Sequence, residues 1–155
     1  MVKIKIVATG EIKDRNIKAI TDEYYKRLSR WCKIEEVYLP EYPPKNDAEI
    51  ALAKKKQAQM QMEKMEGYVI ALDRTGKQLD SVEFAKLISK VQVNGESTIT
   101  FLIGGSNGFL SDILQKANLV LSFGAFTLPH ELMRAVLAEQ IYRAFTINYN
   151  ITYHK

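Results

Sequence analysis

A chain of 155 residues, 46% hydrophobic and 26% charged, has the composition of an ordinary globular domain, and at this length folding removes about 70% of the unfolded surface from water, so its core needs no covalent staple. Four Pro and eight Gly exclude a collagen-like or linker-rich chain; one cysteine, Cys32, excludes an internal disulfide and a multi-cysteine zinc site; two His leave a histidine-rich metal centre out of expectation. The net charge of +4 is uneven: residues 1–33 carry nine basic and four acidic side chains, a balance that attracts phosphate, although a solvated face is the plainer account.

Lys3 to Ala8 alternates isoleucines with lysines and predicts a strand. Ile17, Ile20, Tyr24, Leu28 and Trp31 then recur at three- and four-residue steps, a helical stripe with Asp14 as its cap. Ile34 to Leu39 predicts a second strand, ended by Glu41-Tyr42-Pro43-Pro44. Asn46 with Glu49 resembles a capping box and opens a long polar helix to about Glu66, which Gly67 stops. Tyr68 to Leu72 is a near-continuous apolar run, as in a strand covered on both faces. Asp80 with Glu83 starts another helix, striped by Phe84, Leu87, Ile88 and Val91 and ended at Asn94-Gly95. Thr98 to Ile103 is the clearest strand and closes on Gly104-Gly105-Ser106-Asn107-Gly108. A short helix capped by Ser111 leads to a last strand, Leu119 to Ser122. Met133, Val136, Leu137, Ile141 and Ala144 mark a final amphipathic helix, with Ile147 to Lys155 as a tail.

Alternating strands and helices predict one α/β domain over 1–155, with a parallel sheet covered by helices on both faces. Ligands of such sheets bind beyond the carboxyl ends of the strands. Three loops fall there: Asp73 to Lys77, Gly104 to Gly108, and Phe123 to His130. No stretch of 18 apolar residues or secretion signal is evident, so a cytoplasmic protein with no membrane contact is expected.

Gly76-Lys77 fails as a phosphate loop, because Ala71 and Gln78 stand where Gly and Ser/Thr are needed, and no G-x-G-x-x-G is present. Gly104 to Gly108 does match G-x-S-x-G, which would make Ser106 a hydrolase nucleophile with Asp112 and His130 or His154 as partners. A nucleophile elbow passes directly into a helix, whereas Phe109-Leu110 intervene here. The segment Phe123-Gly124-Ala125-Phe126-Thr127-Leu128 is apolar and free of Lys and Arg, hence poorly suited to phosphate. It suits an uncharged purine ring held by backbone groups.

Taken together, Ala71-Leu72-Asp73, Leu102 to Gly108, Leu121-Ser122 with Thr127-Leu128-Pro129-His130, Arg134 to Phe145 and Tyr153-His154-Lys155 resemble one family along essentially the whole chain: the bacterial large-subunit ribosomal RNA methyltransferase H family of the SPOUT superfamily. The resemblance implies a C-terminal trefoil knot, a homodimer, S-adenosyl-L-methionine as methyl donor, and N3 methylation of a pseudouridine in the helix 69 loop of 23S rRNA within assembled ribosomes. By motif, it implies cofactor contacts at Leu72, Gly104 and Phe123, Gly124, Ala125, Phe126, Thr127 and Leu128.

The acceptor nitrogen must lose a proton, so a base, or a cation that stabilises the developing anion, should help. His154, Arg134 and Glu139 are the expected catalytic residues, with His154 as proton acceptor or uracil-orienting group; Arg143, Tyr153 and Lys155 are the expected RNA contacts, with Arg134 as a further RNA-handling cation. His130, at a helix start, reads as structural. Glu139 and Arg143 stand at i, i+4 and fit a plain helix-surface pair as well. The tail departs from the family at Tyr149, where Arg is common, and at Asn150 and Thr152; Asn150 can still take a left-handed turn. A non-catalytic ribosome-binding factor on the same fold is the main alternative.

Overall fold

A computed structural model describes residues 1–155. Its elements alternate strictly: β1 (Val2–Thr9), α1 (Arg15–Leu28), β2 (Cys32–Leu39), α2 (Asp47–Lys64), β3 (Tyr68–Gln78), α3 (Ser81–Val93), β4 (Thr98–Ile103), α4 (Ser111–Lys116), β5 (Leu119–Ser122) and α5 (His130–Asn148). The five strands form one parallel sheet in the order β2-β1-β4-β3-β5.

Alternation along the central strands sorts side chains onto two faces. Ile4, Ile6, Ile70, Ile99, Phe101 and Ile103 meet Leu28 of α1, Phe84 and Ile88 of α3, and Leu137, Ile141 and Phe145 of α5 in the larger core. Val7, Val69, Ala71 and Leu102 face Ala58 of α2 and Ile113 of α4 in the smaller one. The rest of that second face is polar. There Glu66 binds Lys3 (2.9 Å) and Lys5 (3.3 Å), and the Thr100 hydroxyl donates to the Glu66 carbonyl (2.6 Å).

Several helix starts follow their sequence signals. The Asp14 carboxylate accepts from the amides of Asn16 and Ile17, and Asp80 with Glu83 forms a full capping box. Asn46 caps α2, but Glu49 reaches back to the amide of Lys45, one residue before the cap. α4 is entered from Leu110 with no side-chain cap, and Ser111, the expected cap, is its first helical residue. In α1 the stripe is displaced: Ile20 is exposed, Thr21 is buried, and Trp31 lies beyond the helix. Gly67 ends the α2 connection at φ +63°, where a Cβ would stand 2.1 Å from the Thr98 carbonyl oxygen.

The expected loop at Asp73 to Lys77 is instead a bulged continuation of β3. Leu72 and Lys77 both pair with Leu121, so the residues between them bow outward. Gly76 makes this possible: a Cβ there would lie 2.5 Å from the Val120 carbonyl oxygen. Asp73 ties the bulge, accepting from the amide (3.0 Å) and the hydroxyl of Thr75.

Candidate methyl-donor slot and C-terminal network

β4, β3 and β5 end side by side, and their carboxyl ends bring the three segments singled out in the sequence around one cleft of about 550 Å³. Leu72, Gly104, Phe123, Gly124, Phe126, Thr127 and Leu128 all line it; Ala125 of the same loop is exposed and outside the lining. Phe123 packs back onto the larger core, while Phe126 is 87% exposed. Gly124 takes φ +122°, and the Ser122 hydroxyl holds the loop through the Gly124 amide and carbonyl (both 3.1 Å). Sequence polarity suggested an uncharged slot. The fold corrects this, because the β3 bulge adds Asp73 and Arg74 to one wall and the start of α5 adds His130. Both segments were placed at this edge by the sequence, but the apolar loop Phe123 to Leu128 alone set the expected polarity of the slot.

The expected catalytic and RNA-binding residues gather elsewhere. Tyr153 donates to Glu139 Oε1 (3.0 Å) and stands 3.3 Å from the Tyr24 hydroxyl. Glu139 also accepts from Arg143 Nε (2.9 Å) and from the Gln140 amide (2.8 Å), and Arg143 Nη1 is 3.1 Å from His154 Nδ1. An Arg has only donors, so Nδ1 accepts here and the imidazole proton lies on Nε2. Burial and the hydrogen bond with Tyr24 push the Tyr153 phenol up, and the bond to Glu139 raises Arg143 further. The Arg143 guanidinium also lies over the Tyr153 ring, 4.8 Å from its centroid. Asn150 takes φ 55°, so the left-handed turn survives the departure from glycine. Lys155 is exposed. Tyr149 is absorbed into a stack with Trp31 and Phe145.

Arg134 contradicts its expected surface role. It is 1% exposed; its Nη2 donates to the Thr9 carbonyl (2.6 Å), and Nε and Nη1 are buried without partners. Burial lowers its pKa, opposed by neighbouring Tyr38, Tyr25 and Glu36. It holds the end of β1 and does not face solvent, so it lacks the surface position expected of a catalytic or RNA-handling cation. Arg134 and Arg143 do lie on opposite faces of α5, as their nine-residue spacing requires.

Within one chain, slot and tail are apart. His130 starts α5 at the slot; at 1.5 Å per residue Glu139 lies about 14 Å and Arg143 about 20 Å along the helix from it. None of Glu139, Arg143, Tyr153 or His154 lines the slot. The hydrolase alternative also fails: the Gly105–Gly108 turn runs on to non-helical residues, and Ser106 makes no side-chain hydrogen bond to either histidine. No cluster of His, Cys, Asp and Glu suits a metal ion, and no helix is long and apolar enough to cross a membrane.

Residues 2–154 match the family model described as "Predicted SPOUT methyltransferase". A Streptococcus pyogenes serotype M12 protein named Ribosomal RNA large subunit methyltransferase H is 48% identical over 158 residues, covering 99% of each chain. Among solved structures, a probable methylase family protein from Haemophilus influenzae superposes with TM-score 0.60 at 14% identity, covering 99% of this chain and 70% of that one. A probable methyltransferase from Bordetella pertussis gives 0.57 at 12%, covering 92% and 94%. Those two likenesses bear on the fold alone.

Proposed function

The chain belongs to the SPOUT methyltransferase family, and from that premise we propose that it transfers a methyl group from S-adenosyl-L-methionine to N3 of a pseudouridine in the helix 69 loop of 23S rRNA, in assembled ribosomes of the cytoplasm, as a homodimer of single-domain, knotted chains. Identity of 48% along the whole length to the streptococcal enzyme named for large-subunit rRNA supports the RNA class. The slot's chemistry carries the donor assignment: Phe123, Phe126, Leu72 and Leu128 offer apolar walls, and the loop around Gly104 and Gly124 offers backbone groups to a flat, uncharged purine. Asp73 at its rim complements a cationic centre.

When bound, the donor supplies a methyl group made electrophilic by its sulfonium. The chain's own task is alignment, because an in-line displacement gains most from holding nitrogen, carbon and sulfur collinear. As N3 gains the methyl, it gives up its proton to solvent or to a neighbouring group, and the sulfonium charge is discharged as a neutral thioether.

The distance between slot and tail supports the dimer: His154 can reach a slot only if the tail of one copy serves the other. His154, with its proton on Nε2, then presents a donor that orients a uracil oxygen. Glu139, with four hydrogen bonds accepted, positions Tyr153, Arg143 and His154 in preference to taking a proton itself. Tyr153, Arg143 and Lys155 contact RNA beside it.

Incubating ribosomes with tritiated S-adenosyl-L-methionine and this protein should label 23S rRNA at one pseudouridine. Saturable donor binding in calorimetry with no label transferred would instead favour the non-catalytic ribosome-binding factor. No saturable donor binding at millimolar concentration would overturn the donor assignment.

A further inference from the structure

A methyl acceptor must approach within bonding reach of the carbon it receives, so its room must border the donor's. A second cavity, of about 390 Å³, does border the slot: Gly105, Ser106, Asn107, Gly108 and His130 line both. Its other walls come from a different part of the sheet, beyond the carboxyl ends of β1 and β2, and from α2. The two spaces differ chemically. The slot is rich in Phe and Leu, whereas the second cavity is more polar and carries two lysines, Lys13 and Lys54.

Neither lysine ammonium makes an ion pair, as is true of most basic side chains in this protein, so both charges are available to a ligand. Lys13 is held in place by its backbone: Glu131 of α5 accepts from the amides of Lys13 and Asp14, next to His130 on the shared wall. Lys54 projects from α2, one turn before Gln57, whose Nε2 donates to Thr9 Oγ1 (2.7 Å) and leaves its carbonyl oxygen free to accept. Tyr42 adds a half-exposed ring at the rim. Glu41, the one acidic residue in the lining, lies with its carboxylate against Gly10. On the shared wall, Nδ1 of His130 is enclosed and makes no hydrogen bond within the chain, while Nε2 is not enclosed and is the atom open to a ligand. Cations, amides, a hydroxyl and an aromatic face are the groups that recognise a single nucleotide.

We propose that this second cavity receives the nucleotide to be methylated, with Lys13 and Lys54 on its phosphate, Tyr42 against a base, and His130 hydrogen-bonded to the edge of the target ring across the wall it shares with the donor. The inference rests on the RNA-methylation reading and deepens it. It also gives Lys13 and Lys54 a role that the buried Arg134 does not fill.

Binding to intact ribosomes, measured by cosedimentation over a range of KCl, tests it alongside methyl transfer. Replacing both Lys13→Ala and Lys54→Ala should weaken binding about tenfold or more and flatten the plot of log affinity against log salt by about one for each phosphate no longer neutralised. KM for ribosomes should rise likewise, while donor affinity in calorimetry stays at the wild-type value. The pair Lys13→Arg and Lys54→Arg, which keeps both charges, should retain most of the wild-type affinity. His130→Gln should lower kcat at least tenfold. Wild-type affinity and salt slope in the double alanine variant would overturn the proposal, as would an equal loss in the double arginine variant. Absence of methyl transfer by the wild type would instead overturn the functional reading, and the salt slopes would still decide whether this cavity holds RNA.

Discussion

The two ends of α5 are built on opposite principles. At its start, two loops and the β3 bulge enclose a space, and Phe126 stands 87% exposed. At its end, Tyr153, Tyr24, Glu139, Arg143 and His154 satisfy one another, and Trp31, Phe145 and Tyr149 stack within 5.6–6.3 Å. A surface that must accept a ligand keeps its hydrogen bonds unmade, because groups already paired gain little from a newcomer. A surface that must present side chains in fixed positions completes its hydrogen bonds in advance, which lowers the entropy lost on engagement. The first end has the character of a receptor and the second that of a tool.

The sharpest way to break this comparison is to remove the tool. Deleting Tyr153 to Lys155 should reduce methyl transfer more than a hundredfold while donor affinity, measured by calorimetry, is kept; normal turnover by the truncated chain would show that the tail presents nothing. A second test strikes the scaffold of the receptor. Gly76→Ala forces a Cβ against the Val120 carbonyl and should cost about 1–3 kcal/mol in denaturant unfolding, as overpacking does, with weaker donor binding because the bulge carries Asp73 and Arg74.

Paired substitutions sharpen the contrast further. Phe126→Ala should weaken donor binding about tenfold, of the order of 1.4 kcal/mol, and change unfolding by less than about 0.5 kcal/mol, as surface substitutions do. Tyr153→Phe should do the reverse, costing about 1 kcal/mol of stability through its lost hydrogen bonds and leaving donor affinity alone. Equal stability losses in the two variants would erase the distinction.

The smallest effect concerns pH. Hydrogen bonds from the amides of Asp14 and Lys13 hold the Glu131 carboxyl below its ordinary value. A carboxyl depressed in the folded state contributes stability above the unfolded value and loses it as pH falls through the folded one. Wild type should therefore lose more Tm than Glu131→Gln between pH 6 and pH 3; parallel curves would refute the link.

Much of the fold was legible because its signals are local. Asp14, Asn46 and Asp80 sit where helices begin, and the runs Tyr68 to Leu72, Thr98 to Ile103 and Leu119 to Ser122 are buried strand cores. The slot was legible for a related reason: Gly104 to Gly108 and Phe123 to His130 follow strands, Asp73 begins the bulge in a third, and parallel strands place such segments on one edge. The bulge in β3 escaped notice because Asp73 to Lys77 has loop composition, and only pairing with Leu121 makes it strand. Arg134 misled because charge suggests a surface position, whereas its burial depends on what covers that face of α5. The second cavity left no signal either, since Lys13, Lys54 and Gly105 are far apart in the chain.

Local chemistry, then, settled the order of elements, the parallel sheet, the apolar donor loop and the family resemblance, since caps, stripes and turns act over a few residues. Only the folded arrangement decided that slot and tail stand at opposite ends of one helix, that Arg134 is interior, and that a lysine-lined room adjoins the slot. Those relations join residues as many as 125 positions apart, and such distances are set by how helices pack across a sheet.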